Sequence, residues 1–433
     1  MYSKNDDGTL SLFKLNQQET MRYFGNLDEN EWVGNVAMKY LWKEQNHVKV
    51  GFNYKDKTRD YAARRYYYSL GRLNPTIEDI YTPSDFLNQE NLANGTLEIR
   101  QRIQSHDAYK AGMNILAGYA VADLYPLPSL LVNVGLRYEY ARQWVKYAIE
   151  GEDFYQNKRE LNKHDIFPTV NVKYTFNGQD NLRLSLSRTI TRPSFIEMAP
   201  FIYQEAYGAQ LIRGNGDLRN GYNYNFDLRY ERFWKNGDMF SVTAYYKHLD
   251  QPIERVQMLQ GGATIFSFQN ADQGMAAGIE AEARKTLVKD LRVGANLSYM
   301  YTNVKLPEGG AYTNDKRALQ GASPILLNAD LTYSPRFGED SQLSLALLYN
   351  LQGRRIHSVG VSQMGDIKQQ TVHTMNFAAS YAFNKHLSVN LRVEDLLNRP
   401  VIFKQDLPLT GQTIEVERYK EGTRVEVGVA YKL

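Results

Sequence analysis

The sequence predicts an all-β protein, a transmembrane antiparallel up-and-down β-barrel of about sixteen strands. Three observations predict this fold. Apolar and charged residues alternate with a period of two, such segments recur along the whole chain, and the connections between them are alternately short and long. A soluble β-sandwich shares the first two features, so the third one decides between the two fold classes.

The alternation is clearest on either side of a Gly-rich and aromatic segment at 191–221. The apolar sets are Leu182, Leu184, Leu186 and Ile190 before the segment, and Tyr222, Tyr224, Phe226, Leu228 and Tyr230 after it. The residues between them are polar or charged. Because successive side chains of a strand point to opposite faces, each strand has one apolar and one polar face. In a barrel the apolar face meets lipid and the polar face lines a wet lumen.

Segments of this kind are long enough to cross a bilayer when tilted, which takes about 9 residues. The predicted strands are 9–15, 31–43, 46–56, 107–123, 129–147, 166–176, 181–190, 222–234, 239–257, 274–287, 291–304, 322–334, 341–355, 370–383, 386–396 and 420–432.

The connections alternate between short turns and long loops without a break. The short turns have turn chemistry, with Asn-Gly at 177–178 and again at 236–237. The predicted long loops are 16–30, 57–106, 148–165, 191–221, 258–273, 305–321, 356–369 and 397–419. An outer-membrane barrel places short turns at its periplasmic end and long loops outside, whereas a sandwich has no reason for this order. The connections therefore favour the barrel.

The composition limits the chemistry of the chain. With no cysteine, the chain has no disulfides, thiolate metal sites or cysteine nucleophile. The net charge of +3 gives no sign of a nucleic-acid partner. The seven histidines form no metal-binding motif, and neither a P-loop nor a Gly-x-Ser-x-Gly motif occurs. We expect no enzyme activity, no cofactor and no metal site.

Several short motifs resemble those in the barrels of TonB-dependent outer-membrane receptors of the Bacteroidota type. They occur in family order and are best matched over 165–433. The motifs are Ser-Arg-Thr-Ile-Thr-Arg-Pro-Ser-Phe at 187–195, Gly-Asn-Gly-Asp-Leu at 214–218, Asn-Ala-Asp at 270–272, Gln-Gly-Ala-Ser-Pro at 320–324 and Glu-Asp-Leu-Leu-Asn at 394–398. Two features depart from the family pattern: Gly216 stands where proline is usual, and the chain ends in Leu433 rather than an aromatic residue.

The resemblance implies a 22-stranded barrel closed by a plug domain, of which this chain would be the last sixteen strands. Residues 1–433 would then be a partial barrel, and the start of the chain shows no export signal. The implied function is active uptake of a scarce nutrient such as a siderophore, haem or a glycan. The implied partners are outer-membrane lipid, that ligand, the inner-membrane TonB complex acting through the N-terminal plug region, and in some members a surface lipoprotein. The alternative is a passive porin of sixteen strands.

Two groups of residues are candidates for function. The polar faces predict a charged wall that faces the lumen and the plug, although cross-strand ion pairing would explain the same pattern. These residues are Arg137, Glu139, Arg183, Asp227, Arg229, Glu231, Glu280, Glu282, Arg292, Arg392 and Arg424. Aromatic and arginine side chains in two long loops could bind a ligand by stacking and charge, or could simply pack the loops together. These are Arg65, Tyr67, Arg192, Phe195, Tyr203, Tyr207 and Arg213.

Overall fold

The computed structural model describes residues 2–4, 6, 10–12, 21–43, 45–70, 76–77, 84, 87–204, 211–260, 263–306, 316–338, 340–361 and 364–432. Most of them belong to one large antiparallel sheet in the strand order of a barrel. None of the helices in these ranges is long and apolar enough to cross a membrane. The all-β prediction is confirmed.

Fifteen long strands make up the sheet within the described residues, and each pairs with the next one along the chain. They are β1 (Met21–Trp42), β2 (Asn46–Leu70), β3 (Ala108–Leu127), β4 (Leu130–Tyr147), β5 (Asn157–Thr175), β6 (Asp180–Thr191), β7 (Gly221–Phe233), β8 (Met239–Asp250), β9 (Gln273–Val288), β10 (Leu291–Lys305), β11 (Ile325–Tyr333), β12 (Ser341–Gln352), β13 (Val372–Ala382), β14 (Leu387–Glu394) and β15 (Arg424–Tyr431). Three short strands, Leu97–Arg102, Lys316–Arg317 and Arg336–Phe337, pair with β2, β10 and β12.

The register keeps apolar and polar side chains on separate faces across neighbouring strands. Leu186 of β6 lies opposite Phe226 of β7, and Ser185 lies opposite Asp227. On β15, Val427 is 67% exposed on the outward face. Because side chains alternate between the two faces, the position of one residue determines the face of all the remaining residues on its strand. The outward face is therefore apolar and the inward face polar, as the alternation predicts.

Strands β1 and β15 are the first and last long strands along the chain, and they are neighbours in the strand order of the barrel. Among the described residues every other neighbouring pair has a defined register, from β1 with β2 to β14 with β15, whereas no register joins β15 to β1. Both strands are also more exposed than the rest, with Trp32 at 75%.

Some predicted boundaries differ from the structure. Of the predicted strand 9–15, Leu10–Leu12 pairs with Tyr2–Lys4 and Thr76–Ile77 in a small separate sheet, whereas 9 and 13–15 lie outside the described residues. Strand β1 begins at Met21, within the predicted loop 16–30, and β2 continues to Leu70, within the predicted loop 57–106. Strand β5 begins at Asn157, within the predicted loop 148–165. These strands extend past the apolar band with polar residues on both faces, a pattern that sequence reasoning assigned to loops.

The predicted loops also contain secondary structure of their own. Strands Ile202–Tyr203, Ile212–Arg213, Ile253–Gln260 and Ala263–Asn270 form one four-stranded sheet, and Arg355–Ser358, Ile367–Gln369, Val401–Leu407 and Gln412–Tyr419 form another. The predicted strand 239–257 therefore ends at Asp250, and loop 258–273 is largely a hairpin. The helices are short: α1 (Gln89–Ala93), α2 (Phe195–Met198) and a 3-10 turn at Ser105–Asp107.

A close approach across the sheet makes Gly278 sensitive to substitution. It lies opposite Tyr245, and a Cβ at Gly278 would come within 2.5 Å of both the Tyr245 hydroxyl and the Tyr299 carbonyl oxygen. We expect Gly278→Val to destabilise the barrel by about 1–3 kcal/mol, because overpacking forces the backbone apart. Urea unfolding in detergent measures this. Gly118→Val is the control, since a Cβ there meets nothing within 4 Å, and equal stability of the two variants would contradict the prediction.

Candidate functional site

The inward face of the sheet carries rows of ion pairs that run from strand to strand. Arg183 of β6 donates to Glu231 of β7 at 2.7 Å, and Arg229 bonds to the same carboxylate at 3.1 Å. Arg229 also lies 3.7 Å from Glu282 of β9, which Arg284 contacts at 2.8 Å. Each carboxylate thus lies between two guanidinium groups, so that opposite charges are paired from strand to strand.

The remaining predicted wall residues also fall on inward positions of their strands. Arg137 contacts Glu139 at 2.7 Å, Arg392 lies 3.5 Å from Glu426, and Arg424 donates from Nε to Glu394 at 2.8 Å. Arg292 donates to the Gly237 carbonyl at 3.5 Å. The registers place Asp227 and Glu280 on the same face. The structure thus brings the predicted wall residues onto one surface.

A further inward cluster on β1 and β2 escaped the sequence reasoning. Glu29 accepts from Lys57 at 2.7 Å and from Arg59 Nε at 2.6 Å, while Glu31 contacts Lys55 at 2.9 Å. These residues fall in or beside segments predicted as the loops 16–30 and 57–106. Their regular charge alternation, with Glu at 29 and 31 and Lys at 55 and 57, was the available signal.

The long loops fold together into a compact body, here called the outer cap, at the end of the barrel with the long connections. Its apolar core joins residues from the loops to inward residues of β3, β4 and β5. The buried members are Tyr109, Ala111, Val145, Leu161, Phe195, Met198, Ala199, Phe201, Tyr203, Ile212, Phe266, Ile367, Val401 and Phe403. A smaller core holds Val256, Ala271, Val304, Leu306 and Val359. The cap is thus packed onto the barrel wall.

The segment 191–198 attaches the cap to the wall. Arg192 binds Glu139, and Gln143 donates to the Pro193 carbonyl at 2.6 Å. Ser194 caps helix α2 in a reciprocal capping box with Glu197. Phe195 is buried, and the Arg59 guanidinium lies 5.3 Å from its ring centre. The residues of the first sequence motif therefore hold the cap in place.

The other predicted loop residues are dispersed. Tyr203 is buried beside Phe201, with ring centres 5.6 Å apart. Arg213 is half-buried in the strand Ile212–Arg213, which pairs with the strand that contains Tyr203. Arg65 binds the buried Asp107, whose pKa is raised by burial. Tyr67 lies within β2 opposite Met21 and Arg100. Tyr207 lies outside the described residues.

A buried ion pair links two loops of the cap. Glu254 and Arg317 bind each other with side chains only 1% and 4% exposed. The Gln320 backbone N–H donates to Glu254 at 3.1 Å, and the Gln320 side chain donates to the His357 carbonyl at 2.8 Å. Burial raises the pKa of the Glu254 carboxyl, although Arg317 acts in the opposite direction. This group connects the hairpin at 253–270 with two other loops, and nothing in the sequence pattern indicated it.

No group of three or more His, Cys, Asp or Glu side chains that could hold a metal ion occurs among the residues that the structure describes.

Removal of the Phe195 ring should loosen the cap. Because the ring is buried among other aromatic residues, we expect Phe195→Ala to destabilise the cap by about 3–5 kcal/mol. Limited proteolysis of the intact protein would then cut the outer loops faster. Phe154→Ala, which removes an exposed ring, serves as the control. Equal cleavage rates for both variants would contradict a packing role for Phe195.

Comparison with known proteins gives the class of this chain. Residues 14–431 match the model of the outer membrane protein beta-barrel family. The chain belongs to this family, and it is therefore an outer-membrane protein with a β-barrel fold. A search of curated proteins finds no match.

The chain is similar in fold to solved outer-membrane receptors. The siderophore receptor PiuA from Acinetobacter baumannii matches with a TM-score of 0.60 at 9% identity over 94% of this chain and 56% of its own. The copper transporter OprC matches with a TM-score of 0.63 at 13% sequence identity, over 98% of this chain and 60% of OprC. The ferric yersiniabactin uptake receptor FyuA from Yersinia pestis matches with a TM-score of 0.62 at 10% sequence identity, over 98% of this chain and 56% of FyuA. This chain thus spans 56–60% of the length of these structures. They are receptors and a transporter rather than enzymes.

Proposed function

We propose that this chain is the C-terminal portion of the barrel of a TonB-dependent receptor of the Bacteroidota type. Such a receptor takes up a scarce nutrient across the outer membrane. In this proposal a plug domain and further strands complete a 22-stranded barrel, and the inner-membrane TonB complex acts through the plug. The fold likeness to uptake receptors, over 94–98% of this chain but 56–60% of theirs, supports it.

The observation that carries the proposal is the pairing of a packed outer cap with a charged inner wall. A passive pore keeps an open aqueous channel, whereas the cap here packs from α2 and several loops onto inward residues of β3 to β5. The charged wall below the cap is polar enough to contact a plug or a hydrated solute. A capped, wet lumen suits a receptor that captures its solute first and releases it inward.

The predicted ligand residues divide into two roles in this proposal. Arg192, Phe195 and Tyr203 act indirectly, because their contacts hold the cap to the wall. Arg65, Tyr67, Arg213 and Tyr207 are proposed ligand contacts, with charge and aromatic faces suited to an anionic or aromatic chelate. The proposed substrate class is a metal chelate, haem or a glycan, and a surface lipoprotein is a proposed further partner.

Energy dependence of uptake tests the proposal. A strain that lacks the gene is grown under limitation for iron, copper or a glycan, with and without the natural gene restored. The proposal predicts that restored uptake of one of these nutrients stops when a protonophore collapses the inner-membrane gradient, or when TonB is deleted. Uptake that continues without the gradient, together with ohmic channels of the purified protein in planar bilayers, would indicate a passive pore instead.

A further inference from the structure

Three lysines lie side by side on the outward face of the barrel, near the end that bears the cap. Lys110 of β3 lies directly opposite Lys146 of β4, which in turn lies directly opposite Lys158 of β5. All three side chains are exposed. Opposed residues on adjacent strands have Cβ atoms about 4.5–5.5 Å apart, so like charges in these positions repel and destabilise the sheet. The row therefore has an energetic cost that calls for a compensating anion.

The local carboxylates offset only part of this charge. Asp60 lies 3.4 Å from Lys110, and Glu160 binds both Lys158 and Arg142, the latter at 2.8 Å. Lys146, in the middle of the row, has its ammonium group 6.0 Å from the Trp144 ring centre. Four cations thus face two carboxylates on this patch, which leaves a surplus of positive charge at its centre.

The patch lies just above the part of the outward face that meets lipid. Below it on β4 the outward residues are Tyr138 and Tyr140, which contact His164 of β5 as an aromatic belt. Arg142 follows Tyr140 by two positions, about 5 Å higher along the membrane normal for a strand tilted by about 45°. Lys146 follows by six positions, or about 14 Å higher. Because a headgroup region is about 5–7 Å deep, Arg142 lies within it. The lysine row lies farther out, at the height of the sugars that a glycolipid headgroup carries.

The side chain between the two cationic levels is also suited to a headgroup. Trp144 points outward, and its indole lies over Gly112, where a Cβ would approach the ring to 2.7 Å. Tryptophan, with an apolar body and a polar N–H, is enriched at membrane interfaces. A flat aromatic surface flanked by Arg142 below and lysines above can hold a sugar ring that bears anionic groups.

We propose that the row of Lys110, Lys146 and Lys158, with Arg142 and Trp144 beneath it, binds the anionic headgroup of the phosphorylated glycolipid of the outer leaflet. The phosphate groups lie between the lysine ammonium groups and relieve their mutual repulsion. Trp144 contacts a sugar of the headgroup. This inference depends on the outer-membrane location of the chain and not on the proposed uptake function.

The test compares binding of purified lipopolysaccharide to the detergent-solubilised protein and to two charge-matched variants. The row variant carries Lys110→Gln, Lys146→Gln and Lys158→Gln. The control carries Lys49→Gln, Lys173→Gln and Lys247→Gln, which the registers place on the inward face. We expect the row variant to bind at least tenfold more weakly, with the control unchanged. The binding should also weaken as salt is added.

Two further binding measurements identify which part of the glycolipid the protein recognises. Dephosphorylated lipopolysaccharide and inorganic phosphate should each bind wild-type protein at least tenfold more weakly than intact lipopolysaccharide. Without lipid at low salt, the row variant should be at least as stable as wild type, because the repulsion is gone. If the row variant does not fold, Lys146→Gln alone should weaken binding several-fold. Unchanged binding by the folded variant, equal loss in the control, or equal binding of phosphate alone would overturn the proposal.

Discussion

Replacement of Arg317 by methionine is expected to destabilise the outer cap by about 3–5 kcal/mol, because it leaves the buried Glu254 carboxylate without its partner. Methionine fills similar space, so the loss comes from charge rather than from a cavity. Hydrogen exchange of the backbone amides in the hairpin at 253–270 would measure it, with faster exchange expected there than in strands β6 and β7. The barrel itself should stay assembled.

Two controls separate this effect from general damage. The double variant Glu254→Gln with Arg317→Met removes both charges and should recover most of the protection. Arg418→Met breaks an exposed ion pair with Glu415 in another cap hairpin and should leave exchange at 253–270 unchanged. If the backbone amides at 253–270 exchange at the same rate in the Arg317→Met variant and in the wild-type protein, the ion pair does not hold the cap together.

The pH dependence of the Arg317→Met variant has a defined sign. Burial already raises the pKa of Glu254, and loss of the arginine removes the main group that lowers it. A carboxyl with a higher pKa in the folded state binds its proton more tightly there, so stability increases as pH falls through that pKa. The variant should therefore regain protection at acidic pH, and a loss of protection on acidification would contradict this assignment.

Introduction of a lysine at Phe226 is expected to cost about 2–4 kcal/mol, because the position is at the centre of the lipid-facing side of β7. On that face Phe226 lies between Tyr224 and Leu228, with tyrosines at both ends of the apolar run. Asn225→Lys on the same strand is the matched control, since Asn225 faces inward and contacts Ser187 and Thr189. The urea midpoint of each variant folded into lipid bilayers measures its loss of stability. Equal losses in the Phe226→Lys and Asn225→Lys variants would contradict the assignment of faces.

The sequence predicted the barrel strands well because their physical signal is local. Each of Leu186, Phe226 and Val425 has polar neighbours on both sides, and this period of two can be read without any knowledge of distant contacts. The same rule placed Arg183, Glu231 and Glu282 on the inward face. Boundaries failed where β1 and β2 extend past the membrane, since both faces become polar there and resemble a loop.

The cap could not be predicted because its contacts join distant parts of the chain. Glu254 and Arg317 are 63 residues apart, and Gln257 and Ser358, which are hydrogen-bonded in its interior, are 101 apart. No periodicity encodes such contacts. Phe195 and Tyr203 look alike in sequence whether they bind a ligand or fill a core, and only the packing shows that both are buried.

The two faces of the barrel are the basis of the whole account, and spin labels can measure them directly. The chain has no cysteine, so single labels can be attached after Val134→Cys, Phe226→Cys or Val427→Cys, with Asn133→Cys and Asp227→Cys as inward controls. In bilayers the first three should be relaxed strongly by dissolved oxygen and weakly by a water-soluble nickel complex, and the controls should show the opposite. Labels at Val134, Phe226 and Val427 that respond to nickel like the controls would contradict the account.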